Sequence, residues 1–140
     1  MSTHQKNRIE KIQQTITKLS QEATKNKLII VEGKKDSQAL EELGVNGKIL
    51  TLKTGGKSFI DAIQKIESTG IPEVILLLDF DRRGKEATNK LKQHLEHQKI
   101  KVNLKFWVEL KAFLNRDIQC IEGLPAYMST IQQKVNNQTS

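Results

Sequence analysis

Three acidic side chains stand where an apolar run stops. Leu28-Ile29-Ile30-Val31 runs into Glu32-Gly33, and Val74-Ile75-Leu76-Leu77-Leu78 runs into Asp79-Phe80-Asp81, followed by Arg82-Arg83-Gly84. Side chains alternate along a strand with a period of two, so Asp79 and Asp81 project to one side if the strand persists through them. Two carboxylates a residue apart make a hard oxygen site suited to Mg2+, with Mn2+ as its substitute. Mg2+ takes one or two carboxylates and keeps several waters. Glu32, from another strand end, completes that site or trades a proton with a reacting phosphate. Like charges so gathered repel one another, and a divalent cation relieves the repulsion. The plainer reading is that acids at strand ends cap the next helix and gain from its dipole. A lone Asp-x-Asp does not separate the two readings, whereas two acidic strand ends in one chain favour the site.

Cations flank these acids. Lys34, Lys35, Arg82, Arg83 and Lys85 could grip phosphate oxygens or simply offset the carboxylates. Gly55-Gly56-Lys57-Ser58 invites comparison with a phosphate-binding Walker loop, but that motif requires glycine at position 51, which is Thr. It reads as a turn at a helix start, where amide groups and Lys57 could meet a phosphate. Asp36 reads as a helix cap rather than a ligand. His94 and His97 lie a turn apart without further ligands and, with His4, read as surface residues. The single cysteine, Cys120, can neither close an internal disulfide nor build a thiolate metal site.

The elements that must position the acids follow from periodicity. Ile9, Ile12, Ile16, Leu19 and Ala23 form one apolar stripe of a helix over 4–25, expected to pack on the body. Leu28–Val31, Ile49–Leu52 and Val74–Leu78 read as strands, and Leu104, Phe106 and Val108 alternate as a fourth, with Trp107 on its opposite face. Helices are expected after Asp36 or Ser37 up to Gly44, from Phe59 to near Gly70, from Gly84 through Leu95, near 109–115, and from Pro125 to about Val135, followed by a frayed tail from Asn136. Strands alternating with helices imply right-handed crossovers and a parallel sheet covered on both faces, with ligands bound beyond the carboxyl ends of its strands. The expectation is an α/β, Rossmann-like domain with a four-stranded, mainly parallel sheet flanked by helices.

The chain has 140 residues, suited to one domain that buries its own core. No apolar run approaches the ~20 residues of a membrane span, and the N-terminus lacks an apolar signal core. A cytoplasmic, reducing location is expected, with no membrane partner. Lysine and arginine outnumber acids 23 to 16, giving +7, and the excess clusters: residues 1–27 carry +4 and 79–99 carry +2, against −1 over 57–78. Clustered positive charge favours a polyanionic partner, since each cation near a phosphate releases a condensed counterion. Aromatics are only 4%, which argues against a base-stacking surface.

An apolar strand ending in Glu, and a later one ending in Asp-x-Asp with Gly soon after, resembles the Toprim domain, the module shared by topoisomerases, bacterial-type primases and certain nucleases. The likeness spans about residues 27–108, with 1–26 as an N-terminal amphipathic helix and 109–140 as a helical extension. Small stand-alone Toprim proteins of archaea and bacteria are the most similar in plan. The resemblance implies that Asp79 and Asp81 hold Mg2+ and that Glu32 acts as general acid or base, in nuclease-like chemistry on DNA or RNA. A non-catalytic nucleic-acid-binding subunit of a processing complex, with protein partners, is the alternative. Topoisomerases need a tyrosine nucleophile, and the one tyrosine, Tyr127, reads as a packing residue. A haloacid-dehalogenase-like phosphatase would carry Asp-x-Asp on its first strand followed by Thr, whereas here Arg82-Arg83 follow the third.

Overall fold

The computed structural model describes residues 3–53, 59–114 and 116–139. In chain order these form α1 (Thr3–Ala23), β1 (Leu28–Val31), α2 (Lys34–Glu42), β2 (Lys48–Thr51), α3 (Phe59–Ser68), β3 (Glu73–Leu76), α4 (Arg82–His97), β4 (Lys101–Asn103), α5 (Lys105–Leu114), a 3-10 turn (Ile121–Gly123) and α6 (Leu124–Thr139). The four strands make one sheet in the order β2-β1-β3-β4. Every pairing is parallel, with Ile29 opposite Ile49 on one side and Ile75 on the other, and Val74 opposite Val102.

Strand parity sorts the core into two clusters. Ile29, Val31, Ile75 and Leu77 face the layer built by α1, α2, α5 and α6. Leu28, Ile30, Val74, Leu76 and Leu78 face α3 and α4 through Ile63, Ile66, Leu91 and Leu95. β1 and β3 are therefore apolar on both faces, as central strands of a parallel sheet must be. The stripe of α1 enters the first cluster at Ile9, Ile12, Ile16, Leu19 and Ala23. Burying each of these isoleucine and leucine side chains contributes roughly 1.5–3 kcal/mol.

Several boundaries differ from the sequence expectation. Leu104, Phe106 and Val108 do not form a strand: β4 is Lys101–Asn103, and residues 105–114 are one helix. Phe106, Leu110 and Leu114 repeat every four residues and bury on one helical face, and that repeat outweighs the short period-two run. The Asn103 side chain accepts from the Lys105 amide at 2.9 Å and turns the chain out of the strand. Trp107 is accordingly a helix residue, buried in the first cluster and donating its indole N–H to the Leu78 carbonyl at 2.9 Å. The last helix starts at Leu124 and runs through Thr139, beyond the expected fraying point.

α4 begins at Arg82, so Gly84 lies in its first turn, where a Cβ would stand 2.0 Å from the Asp79 carbonyl oxygen. Only glycine lets α4 start this close to the end of β3. Gly84→Ala is expected to destabilise the fold by about 1–3 kcal/mol as an overpacking substitution, measured by urea unfolding; an unchanged midpoint would mean that α4 is not held by this contact.

Candidate metal centre

β1 leads through α2 to β2 on one side, and the chain then crosses to β3 on the other. The order thus reverses between β1 and β3, and a crevice opens beyond the carboxyl ends of those two strands. Glu32 is the first residue after β1, and Asp79 lies three residues beyond β3. The Leu77 amide still donates to the Ile30 carbonyl at 2.8 Å, so the two chain ends stay side by side past the regular ladder.

Beyond Leu77 the parity slips. Phe80, not Asp79, joins Ile75 and Leu77 in the first cluster, with its ring 6.2 Å from that of Trp107. Its amide donates to the Gln119 carbonyl at 2.7 Å. With Phe80 anchored inward, Asp79 and Asp81 both line a cleft of about 230 Å³ together with Glu32, Lys53, Arg83 and Leu52. The strand does not persist through the two aspartates as the alternation argument required, yet both reach the cleft.

Glu32 and Asp79 line the same cleft, close enough for Glu32 to act on the Asp79 carboxyl by charge and by hydrogen bonding. Burial, and then the charge and hydrogen bond of Glu32, push the Asp79 carboxyl up to about 7, with smaller contributions from Asp36 and Asp81. Glu32 is mostly buried and has the Lys53 ammonium 3.4 Å away. Lys53, absent from the sequence prediction, is brought here because it follows β2 and its amide donates to the Glu32 carbonyl at 2.9 Å. Asp81 caps α4, accepting from the Gly84 amide at 2.8 Å through Oδ1. The cap reading therefore holds for this residue, and among the described residues no donor engages Oδ2, which could serve a ligand role.

Asp36 was expected to be a cap alone. It is buried in the first turn of α2 and accepts from the Gly33 amide at 3.0 Å and the Glu122 amide at 2.9 Å. It also lies beside Asp79: among the described residues, the group whose ligand atoms all fall within 4.8 Å of one another is Asp36, Asp79 and Cys120, rather than Glu32, Asp79 and Asp81. Asp79 is common to both sets and bridges them. Burial pushes the Cys120 thiol up, and its soft sulfur is a poor match for a hard cation. What remains is a surplus of carboxyl oxygens, one forced to hold a proton near neutrality. That donor set fits a hard divalent cation such as Mg2+.

The cations predicted around the acids are dispersed. Arg83 lines the cleft, while Arg82 and Lys85 line a separate concavity on the other side of the first turn of α4. Lys34 and Lys35 are exposed at the start of α2, Lys35 lying 3.9 Å from Glu122. Lys57 and the Gly55-Gly56 loop lie outside the described residues. His4, His94 and His97 are exposed. Tyr127 packs on the first cluster and donates to Asp117 at 2.7 Å; its hydroxyl is pushed up to about 12 by burial and that bond, which makes it a poor nucleophile.

The Toprim domain profile matches residues 26–104. A UPF0292 protein of Methanocaldococcus jannaschii is 40% identical over 121 residues, spanning 86% of this chain and 91% of that protein. A UPF0292 protein of Methanosarcina acetivorans is 32% identical over 128 residues, spanning 91% of this chain and 86% of that one. A solved structure of an Aquifex aeolicus protein superposes with a TM-score of 0.63 at 30% identity, covering 79% of this chain and 95% of its own.

The raised Asp79 carboxyl sets a pH dependence. In the folded chain it keeps its proton to about pH 7, whereas in the unfolded chain it releases it near its ordinary value of 3.8. Between these limits the folded state binds more protons, so without divalent cations stability falls as pH rises through that window and then levels. Added Mg2+ above pH 7 should raise Tm by a few degrees, because the cation binds only the folded site. Asp79→Asn should flatten the decline and abolish the Mg2+ response in thermal melts. A variant that still declines and still responds would place the titration and the cation elsewhere.

Proposed function

The chain belongs to the Toprim domain family, among its small UPF0292 proteins, and we propose that it carries out Mg2+-dependent phosphodiester chemistry on nucleic acid, by hydrolysis. The observation that carries this reading is the meeting of the Glu32, Asp79 and Asp81 carboxyls in one cleft at the switch point of the sheet, with Arg83 at its wall. Asp79, Asp81 and Glu32 would hold Mg2+, or Mn2+ in its place. When bound, the cation supplies Lewis-acid stabilisation of charge on the reacting phosphoryl oxygens.

The chain's own groups do the rest. Glu32 moves the proton between nucleophile and leaving group, within hydrogen-bond reach of a partner that itself titrates near neutrality. Arg83, at the cleft wall, and Lys53, beside Glu32, receive the phosphate oxygens of the reacting group. Lys34, Lys35, Lys57, Arg82 and Lys85 serve the flanking backbone of the substrate. Asp36 acts as a positioning residue: it ties the start of α2 to the 3-10 turn and raises the charge density against Asp79. No helix among the described residues is long and apolar enough to cross a membrane, and the single thiol suits a reducing cytoplasmic setting.

Incubating the pure protein with labelled single- and double-stranded DNA and RNA in Mg2+, Mn2+ or chelator tests the reading. Divalent-dependent cleavage is expected, and Glu32→Gln should reduce it at least ~100-fold, the usual scale for losing a general acid or base, with the melting temperature retained. Binding without cleavage in every condition would instead assign the protein as a non-catalytic subunit of a nucleic-acid-processing complex.

A further inference from the structure

The first turn of α4 divides its cations between two concavities. Arg83 and Ala87 line the acidic cleft, whereas Arg82 and Lys85, three residues apart and so on a common face, line a groove of about 660 Å³. Asp81 belongs to both linings, so the groove begins where the cleft ends. Its far wall is α5 and the segment after it, which contribute Lys111, Arg116, Val108, Ala112 and Ile118. Ala112 in turn also lines a third concavity, of about 470 Å³, where Arg8, Lys11 and His4 come from α1. Among the described residues, Asp81 is the one carboxylate lining these two grooves, against six lysines and arginines, of which Arg8 pairs with Asp117 at 3.4 Å.

We propose that this track seats a single nucleic-acid strand and leads it to the acidic cleft. It rests on the functional reading above for the chemistry at the cleft, but the binding itself stands on the charge and shape of the track. Arg82, Lys85, Lys111 and Arg116 hold successive phosphates. The carboxylate that pairs with Arg82, Glu86 at 3.2 Å, joins two exposed side chains and yields readily to a phosphate. Val108, 54% exposed and one of two large apolar side chains left in solvent among the described residues, stands in the wall with Ala112 and Ile118. Such a wall suits a strand whose bases are free, since a duplex keeps its bases stacked inside. Trp107 offers no open stacking face: the Lys111 ammonium sits 4.9 Å from its ring centre, and its indole N–H is bonded to Leu78. The track therefore holds the strand by its backbone, meets its bases only through these apolar side chains, and is indifferent to sequence.

Fluorescence anisotropy in chelator, which stops divalent-dependent turnover, reads binding of labelled RNA and DNA strands and of the duplex by the full chain. Lys111→Ala/Arg116→Ala should weaken single-strand binding on the order of tenfold and lower the slope of log K against log salt by about 1.4, two contacts' worth. Lys18→Ala/Lys65→Ala, which removes the same charge outside the track, should do neither, and melting curves check that both variants fold. Loss on RNA, on DNA or on both supports the track and names its strand. Wild-type binding by the α5 double variant, equal weakening by the control, equal grip on duplex, or no strand binding by the wild type would overturn it. Glu32→Gln separates the two claims: full strand binding with cleavage intact removes the catalytic reading and leaves the track standing.

Discussion

The Glu32 and Asp79 carboxyls meet across the gap between two parallel strands, and the surrounding structure is arranged to keep them there. Two acids left free would separate into water. Here β1 and β3 are locked in register, and the Leu77–Ile30 hydrogen bond carries the pairing past the ladder. α4 starts so close behind that its third residue must be glycine. The unfavourable contact is supported by apolar burial on both faces of the sheet, since all of β1, and β3 from Val74 onward, is buried. Burial first, and then the neighbouring Glu32 charge, keep the Asp79 carboxyl protonated up to about pH 7, and a divalent cation would offset both costs.

The segments after β4 are part of this machinery. Trp107 of α5 donates to the carbonyl of Leu78, and Gln119 accepts from the amide of Phe80, so the residues on either side of Asp79 are tied to the C-terminal layer. The 3-10 turn donates the Glu122 amide to Asp36, which stands beside Asp79. Helices that the profile match leaves outside its bounds thus set the position of the acids and supply one wall of the basic groove.

Much of the architecture was legible from residue order. The apolar blocks at 28–31 and 74–78 are too short for helices and too apolar for exposed strands, and acids at their carboxyl ends fall where open α/β sheets bind ligands. The stretch 104–108 misled because three alternating apolar residues imitate a strand, while the deciding repeat, Phe106-Leu110-Leu114, extends beyond it. Lys53, Asp36 and Cys120 could not be assigned from spacing, because each reaches the site through a tertiary contact with a segment distant in sequence. The split of Arg82 and Lys85 from Arg83 was present in the helical phase, but its meaning required α5 opposite.

The central claim is that Glu32 and Asp79 form one coupled acidic pair that a divalent cation discharges. Carbon-13 carboxyl NMR, titrating the labelled side chains from acid to alkaline pH with and without Mg2+, tests it most directly. One of the two carboxyls should titrate near 7 in the metal-free protein and move down into or below the ordinary carboxylate range when Mg2+ is added. If every carboxyl titrates below about 5, the normal span for aspartate and glutamate, and none moves with Mg2+, the pair does not exist as a cation site.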